Sequence, residues 1–287
     1  MKRILVPTDF SDCATKAAKT AIEIARKSGA EIHFLHFMAI PINWVQMEKD
    51  QDVMYPDITN EVKQVNYQLE ELVKLANLEK VNAKYFLGYN ESSYNIIEHA
   101  RKNFIDLVVM GSHGASGVKE LFIGSNAQKV VRLAPVPVLI VKKGMNMKAI
   151  KDIVFVSDFE IETIKPYEGL LNFAETFGAK IHLLYINTPS YFNDSWEVEE
   201  KMEPFRYMGG ENLGKCDIIN SYIFEDGLNK YCEKYDDAMI AMATHGRQGV
   251  SRIFYGSVTE KVVNHSIHPV LSLKIPQEVR EVDMEPR

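Results

Sequence analysis

The sequence predicts an α/β protein made of two copies of one parallel-sheet unit. Three observations carry that expectation. Short apolar runs alternate along the chain with longer amphipathic segments, the pattern of parallel strands joined by helical crossovers. Residues 2–10 return as 151–159 and residues 29–37 as 178–186, both at a spacing of 149. Farther on, Gly114, Gly124-Ser125 and Pro137-Val138-Leu139 return as Gly246, Gly256-Ser257 and Pro269-Val270-Leu271, now at a spacing of 132. The second copy therefore lacks 17 residues between its second strand and its glycine loop. The boundary falls near 144–150, which gives two expected domains, 1–145 and a shorter, partly degenerate 150–277. A length of 287 residues suits two domains better than one.

In the first copy, 4–6 reads as a buried strand, followed by a turn at 9–12 with Ser11 or Asp12 as helix cap. Ala14, Ala17, Ala18, Ala21, Ile22 and Ala25 then recur at helical spacing, and Gly29 stops the helix. The second strand is 31–37. A long loop at 41–57 carries apolar groups that look exposed, and Trp44, Met47 and Met54 read equally as a lid, a partner surface or a segment folded back on the sheet. Helices are expected at 58–78 and 93–103, and strands at 82–87 and 105–110. After the glycine loop come a helix over 126–133 and a fifth strand over 136–141. The second copy repeats the plan. Pro166 reads as an N1-like start of its first helix. The loop 188–200 is polar and acidic, and Gly209-Gly210 breaks its second helix early.

Composition narrows the function classes. Apolar residues are 46 % of the chain, enough for sizeable cores, and the net charge of −6 argues against a general nucleic-acid binder. Three cysteines, Cys13, Cys216 and Cys232, form no CxxC pair, which fits a reducing compartment. The first apolar run stops at Pro7, short for a signal core, and no run is long enough for a membrane span. A cytoplasmic protein is the expectation.

The chemistry concentrates at Gly111-Ser112-His113-Gly114, with Gly124-Ser125 beyond it. Strand, glycine-spaced loop, then helix N-terminus is an order suited to an anion. Glycines admit close backbone approach, and the first amides of a helix are unpaired at the positive end of its dipole. Ala243-Thr244-His245-Gly246 with Gly256-Ser257 is the imperfect second copy, in which Ala243 adds a methyl where backbone would meet a ligand.

The spacing Gly-x2-Gly-x9-Gly-Ser, the Pro7-Thr8-Asp9 end of the first strand and the Pro-Val-Leu fifth strand together resemble the universal stress protein family, in both halves. The resemblance implies two tandem Rossmann-like domains of the adenine nucleotide alpha hydrolase-like type. Each would be a five-stranded parallel sheet of order 3-2-1-4-5 with helices on both faces. It also implies ATP, with a divalent ion such as Mg or Mn on its phosphates. Carried over, it puts Pro7, Thr8 and Asp9 at the base and sugar and Phe37 against the base. Met110, Gly111, His113, Gly114, Gly124, Ser125 and Asn126 go around ribose and phosphates. In the second copy Ser157, Asp158, Gly246, Gly256 and Ser257 take the matching places.

Three functions are open at this point. One is an ATP-binding stress or signalling protein with little or no turnover. Another is a slow ATP or phosphoester hydrolase using His113, although no Walker A sequence is present. The third is a scaffold without ligand, associating through fifth-strand edges. A pseudo-dimer of the two copies through those edges is expected in any case, with room for a homodimer of chains. Asp9 as a helix cap, Cys13 as a packed side chain and Lys142 as part of a solvated linker are the bland readings. His33, His36 and His182 read as core or strand-end residues.

Overall fold

The computed structural model describes residues 1–46, 51–90, 93–112, 124–142, 150–235, 237–244 and 255–276; for 42, 46, 51, 52, 93 and 255–257 it describes the backbone only. The first half runs β1 (Arg3–Pro7), α1 (Asp12–Ser28), β2 (Glu31–Met38), α2 (Ile42–Gln46), α3 (Gln51–Met54), α4 (Pro56–Leu78), β3 (Ala83–Tyr89), α5 (Ser93–Lys102), β4 (Leu107–Gly111), α6 (Ser125–Leu133) and β5 (Val138–Val141). The second half runs β6 (Asp152–Val156), α7 (Ile164–Phe177), β7 (Lys180–Asn187), α8 (Ser195–Gly209), β8 (Leu213–Asn220), α9 (Phe224–Cys232), β9 (Met239–Thr244), α10 (Tyr255–His265) and β10 (Val270–Lys274).

All of these strands join one ten-stranded sheet, in the order β3-β2-β1-β4-β5-β10-β9-β6-β7-β8. Within each half the order is 3-2-1-4-5 and every pair is parallel. The halves meet where β5 and β10 run antiparallel, Ile140 against Val270 and Val138 against Ser272. The fifth-strand edges are thus consumed within the chain and are not free to recruit a second chain. β3 and β8 are the outer strands.

Central strands read as unbroken apolar runs because both faces are covered. One face carries Ile4, Val6, Phe34, Val109 and Leu139 under α1 and α4, and continues through Phe155, Leu183 and Ala241 under α7 and α8. The other carries Leu5, Leu35, Val108 and Ile140 under α5 and α6, and continues through Val154, Leu184 and Ile240 under α9 and α10. Both cores cross the junction between halves.

Local sequence explains most element ends. Ser11 Oγ accepts from Ala14 N at 3.2 Å and caps α1. Gly29, at φ 73°, ends it in the left-handed region that suits glycine. Close packing of α1 on β4 fixes Gly111. A Cβ there would lie 2.8 Å from the Cys13 carbonyl carbon and 2.9 Å from its oxygen. The first constraint on this glycine is therefore the helix behind it. Ala243, its counterpart, is buried at 1 % exposure. There the chain passes through a 3-10 turn, Ile161–Thr163, before α7 begins, so the backbone that crowds Gly111 is arranged differently.

Several expectations need correction. The segment 41–57 contains α2, α3 and the start of α4, and Trp44 is buried, its ring set edge-on to Tyr89 at 5.6 Å. Pro166 is the third residue of α7, still in the first turn where its missing N–H is not needed. Lys142 is buried and donates to Val263 O at 2.5 Å, so it is no solvated linker residue. The shortened second copy closes its face with aromatics. Phe155, Phe159 and Tyr167 gather around Phe205 of α8 with centroids 5.1–6.2 Å from it.

On the amino-terminal half of β2, His33 Nε2 lies 3.0 Å from Glu31 Oε1 and His33 Nδ1 lies 3.2 Å from His99 Nε2 of α5. If His33 donates to the carboxylate, His99 donates to His33, and a second proton on His99 would sit in a half-buried place beside another imidazole. Burial first, and His33 second, push His99 from 6.5 down to about 4.

Two outcomes follow. Gly111→Ala lowers stability by about 1–3 kcal/mol, as overpacking does, in urea unfolding, whereas Ala243→Gly in β9 lowers it by only about 0.5–1 kcal/mol; equal effects would remove the packing argument. The unfolded chain takes up the His99 proton before the folded one, so stability falls as pH drops from 6.5 toward 4. His99→Gln flattens that limb by about 1–2 kcal/mol in urea midpoints compared at pH 7 and pH 4.5.

Candidate functional site

The expected site residues gather at the carboxyl ends of the first-half strands. β1 lies between β2 and β4, so successive connections leave it in opposite directions and a crevice opens outside its end. Thr8 is held there by its amide, which donates to Leu35 O at 2.9 Å. Its carbonyl accepts from His36 Nδ1 at 2.7 Å, and its hydroxyl oxygen accepts from Phe10 N at 3.1 Å. Asp9 is exposed, and its Oδ1 accepts from Ser11 N at 3.1 Å. Ser11, not Asp9, caps α1, so the carboxylate anchors the turn ahead of the helix.

That turn has a left-handed backbone that no local pattern in the sequence announces. Phe10 has φ 62°, and its counterpart Phe159 has φ 58°. A bulky residue in this region is strained, on the order of 1–2 kcal/mol. The same local bonds recur in the second half: Phe159 N to Ser157 Oγ at 3.0 Å and Glu160 N to Asp158 Oδ1 at 3.3 Å. In the sequence its signal is the Asp-Phe pair repeated at 9–10 and 158–159.

On the other side of the crevice, Met110 is buried and Gly111 ends β4, paired with Val141. Ser112 N donates to Val141 O at 3.2 Å, and Gly124 N donates to Ser112 O at 2.9 Å. The two described ends of the loop are therefore tied together. His113 and Gly114 lie outside the described residues, as does Gly246. Gly124 is the N-cap of α6 and has no side chain to close the first turn, with Ser125 exposed and Asn126 half-buried just inside the helix. Phe37 is half-buried on the face of Met110 and Leu35. Its ring covers Gly88, where a Cβ would come within 2.3 Å of it. Pro7 is half-buried and pairs with Leu35.

The second half builds the same frame and encloses it more fully. Asp158 is 6 % exposed where Asp9 is exposed, and Ser157 is buried too. Nearby, Asn193 Nδ2 donates to the Tyr185 hydroxyl at 2.5 Å, and Lys201 Nζ lies 2.7 Å from Glu160 Oε1. Tyr185 is held above its ordinary range, mainly by burial, with Asp158 and Glu160 adding to the rise. Gly256 and Ser257 fall inside α10, which begins at Tyr255, so this helix starts ahead of its Gly-Ser pair. Among the described residues, no group of three or more His, Cys, Asp or Glu is placed to hold a metal ion, and no helix is long and apolar enough to cross a membrane.

Comparison with known proteins gives this arrangement its kin. The Universal stress protein family model matches residues 1–142 and 225–274. Universal stress protein YxiE of Bacillus subtilis is 33 % identical over 147 residues, covering 49 % of this chain and 98 % of that one. Universal stress protein Slr1230 of Synechocystis is 21 % identical over 299 residues, covering 96 % of this chain and all of the other (100 %). Among solved structures, a universal stress protein from Archaeoglobus fulgidus superposes with a TM-score of 0.76 at 19 % identity, covering 96 % of this chain and 98 % of that one, a likeness of fold. With the family's sequence pattern matched over more than half its length and in both halves, this chain belongs to the universal stress protein family.

Proposed function

We propose that the first half binds ATP in the crevice between Asp9 and the start of α6, and that the chain serves a stress-response or signalling role with little or no turnover. The observation that carries this reading is the exposed Asp9 carboxylate at the strand-order reversal, across from a helix whose first turn opens behind a glycine cap. A carboxylate accepts from ribose hydroxyls or an adenine amino group, and helix amides meet phosphates. Mg or Mn would ride on those phosphates.

In this reading 1–145 and 150–277 are two domains of one pseudo-dimer, and only the first is a nucleotide site. Burial of Asp158 supports that asymmetry, because its carboxylate is shut from solvent where that of Asp9 is open. The motif residues Ser157, Gly256 and Ser257 then keep the second half's frame without loading it.

Isothermal titration tests the assignment. Wild type binds ATP, Asp9→Ala weakens it about tenfold, as loss of hydrogen bonds to a charged group does, and Asp158→Ala stays within about twofold. Absence of binding by wild type, or an unchanged affinity in Asp9→Ala, overturns the reading. Incubation with ATP and Mg releases no phosphate above the rate of an otherwise identical His113→Ala protein; a clear drop on removing His113 would return the hydrolase reading instead.

A further inference from the structure

Two lysines cross the junction between halves in opposite directions. Lys142 follows β5 directly, is 8 % exposed, and donates to the carbonyl of Val263 in the last turn of α10. Lys274 ends β10 and donates to the carbonyls of Val131, at 2.5 Å, and Arg132, at 3.2 Å, in the last turn of α6. The donors are 132 positions apart and so are Val131 and Val263, the spacing of the internal repeat. Between the helices, Gln128 Nε2 lies 3.4 Å from Glu260 Oε2, and Arg132 Nη1 lies 3.9 Å from Glu260 Oε1.

The chemistry suits each end. The last carbonyls of a helix lack intrahelical partners and form the negative end of its dipole, where a lysine is favoured. Burial pulls both ammonium groups from 10.5 down to about 8, with the Cys13 thiol, from α1, facing Lys142. The placement is therefore paid for in desolvation, and its return is position. α6 is nine residues long and moves as one piece. Its first turn opens on the first-half crevice, and its last turn is gripped by the second half.

We propose that Lys274 is a positioning residue for the ligand site of the first half, and that Lys142 does the same for α10 in the second. Each lysine also springs from the strand end beside its own half's glycine motif. Val141, next to Lys142, accepts from Ser112 N, and Ile275, next to Lys274, donates to Thr244 O. The two motif segments are thus linked crosswise, each through a lysine to the other's helix. The claim about nucleotide rests on the ATP reading above; the claim about helix position does not.

Hydrogen exchange and ATP titration on the full-length chain separate the two. In ligand-free Lys274→Met, amides of 125–133 exchange several-fold faster while those of 255–265 stay unchanged; Lys142→Met gives the converse. ATP affinity drops about fivefold in Lys274→Met and stays within twofold in Lys142→Met, with unfolding midpoints recorded alongside. A general rise in exchange, a change confined to the mutated half, or no change overturns the crosswise grip. The crosswise pattern with ATP affinity unaltered in Lys274→Met overturns the positioning role. Failure of wild type to bind ATP sinks the ATP reading alone, and exchange then decides the grip.

Discussion

The antiparallel pairing of β5 with β10 constrains the rest of the molecule. A parallel five-stranded unit leaves its fifth strand with an unpaired row of amides and carbonyls, which is a template for association. Here the partner is supplied by the same chain, with Leu139 opposite Leu271 at the centre. Both strands are buried nearly throughout, so this junction is built like a core. It sets α6 beside α10, brings each terminal lysine within reach of the other half's helix, and makes the two hydrophobic layers continuous across the repeat.

The two halves differ under a shared backbone plan. Both keep the strained Asp-Phe turn with the same two hydrogen bonds, so that turn belongs to the unit and not to one half's ligand. What differs is the surrounding volume. The first half has a 23-residue α4 and small Val6 and Ala18 on the face beneath its helices. The second has a 15-residue α8 with Pro204 inside it, and fills the same face with Phe155, Tyr167 and Phe205. Its carboxylate is shut in as well. A shorter crossover covers less sheet, and larger rings make up the loss.

Glycine and lysine each carried a meaning the sequence could not rank. Gly111 was legible as a place of close approach, but the nearest neighbour is the backbone of Cys13. Lys142 was legible only as a charge near a boundary, and it proved to be a buried helix cap. In both cases the deciding contact is with a residue about a hundred positions away, and no local pattern encodes such a partner.

By itself the sequence determined the repeat, the alternation of strands and helices apart from α2 and α3, a helix start at Ser11 or Asp12 with its Gly29 end, and the glycine motif with its place after a strand. Periodicity, caps and turn residues act over a few positions, so they can be read along a line. Tertiary structure alone decided the antiparallel register in which β5 and β10 join the halves, that Trp44 is inside, that Asp9 is open while Asp158 is enclosed, and that lysines of one half hold helices of the other. Those outcomes depend on which surfaces lose water to each other, and that is settled only when distant segments meet.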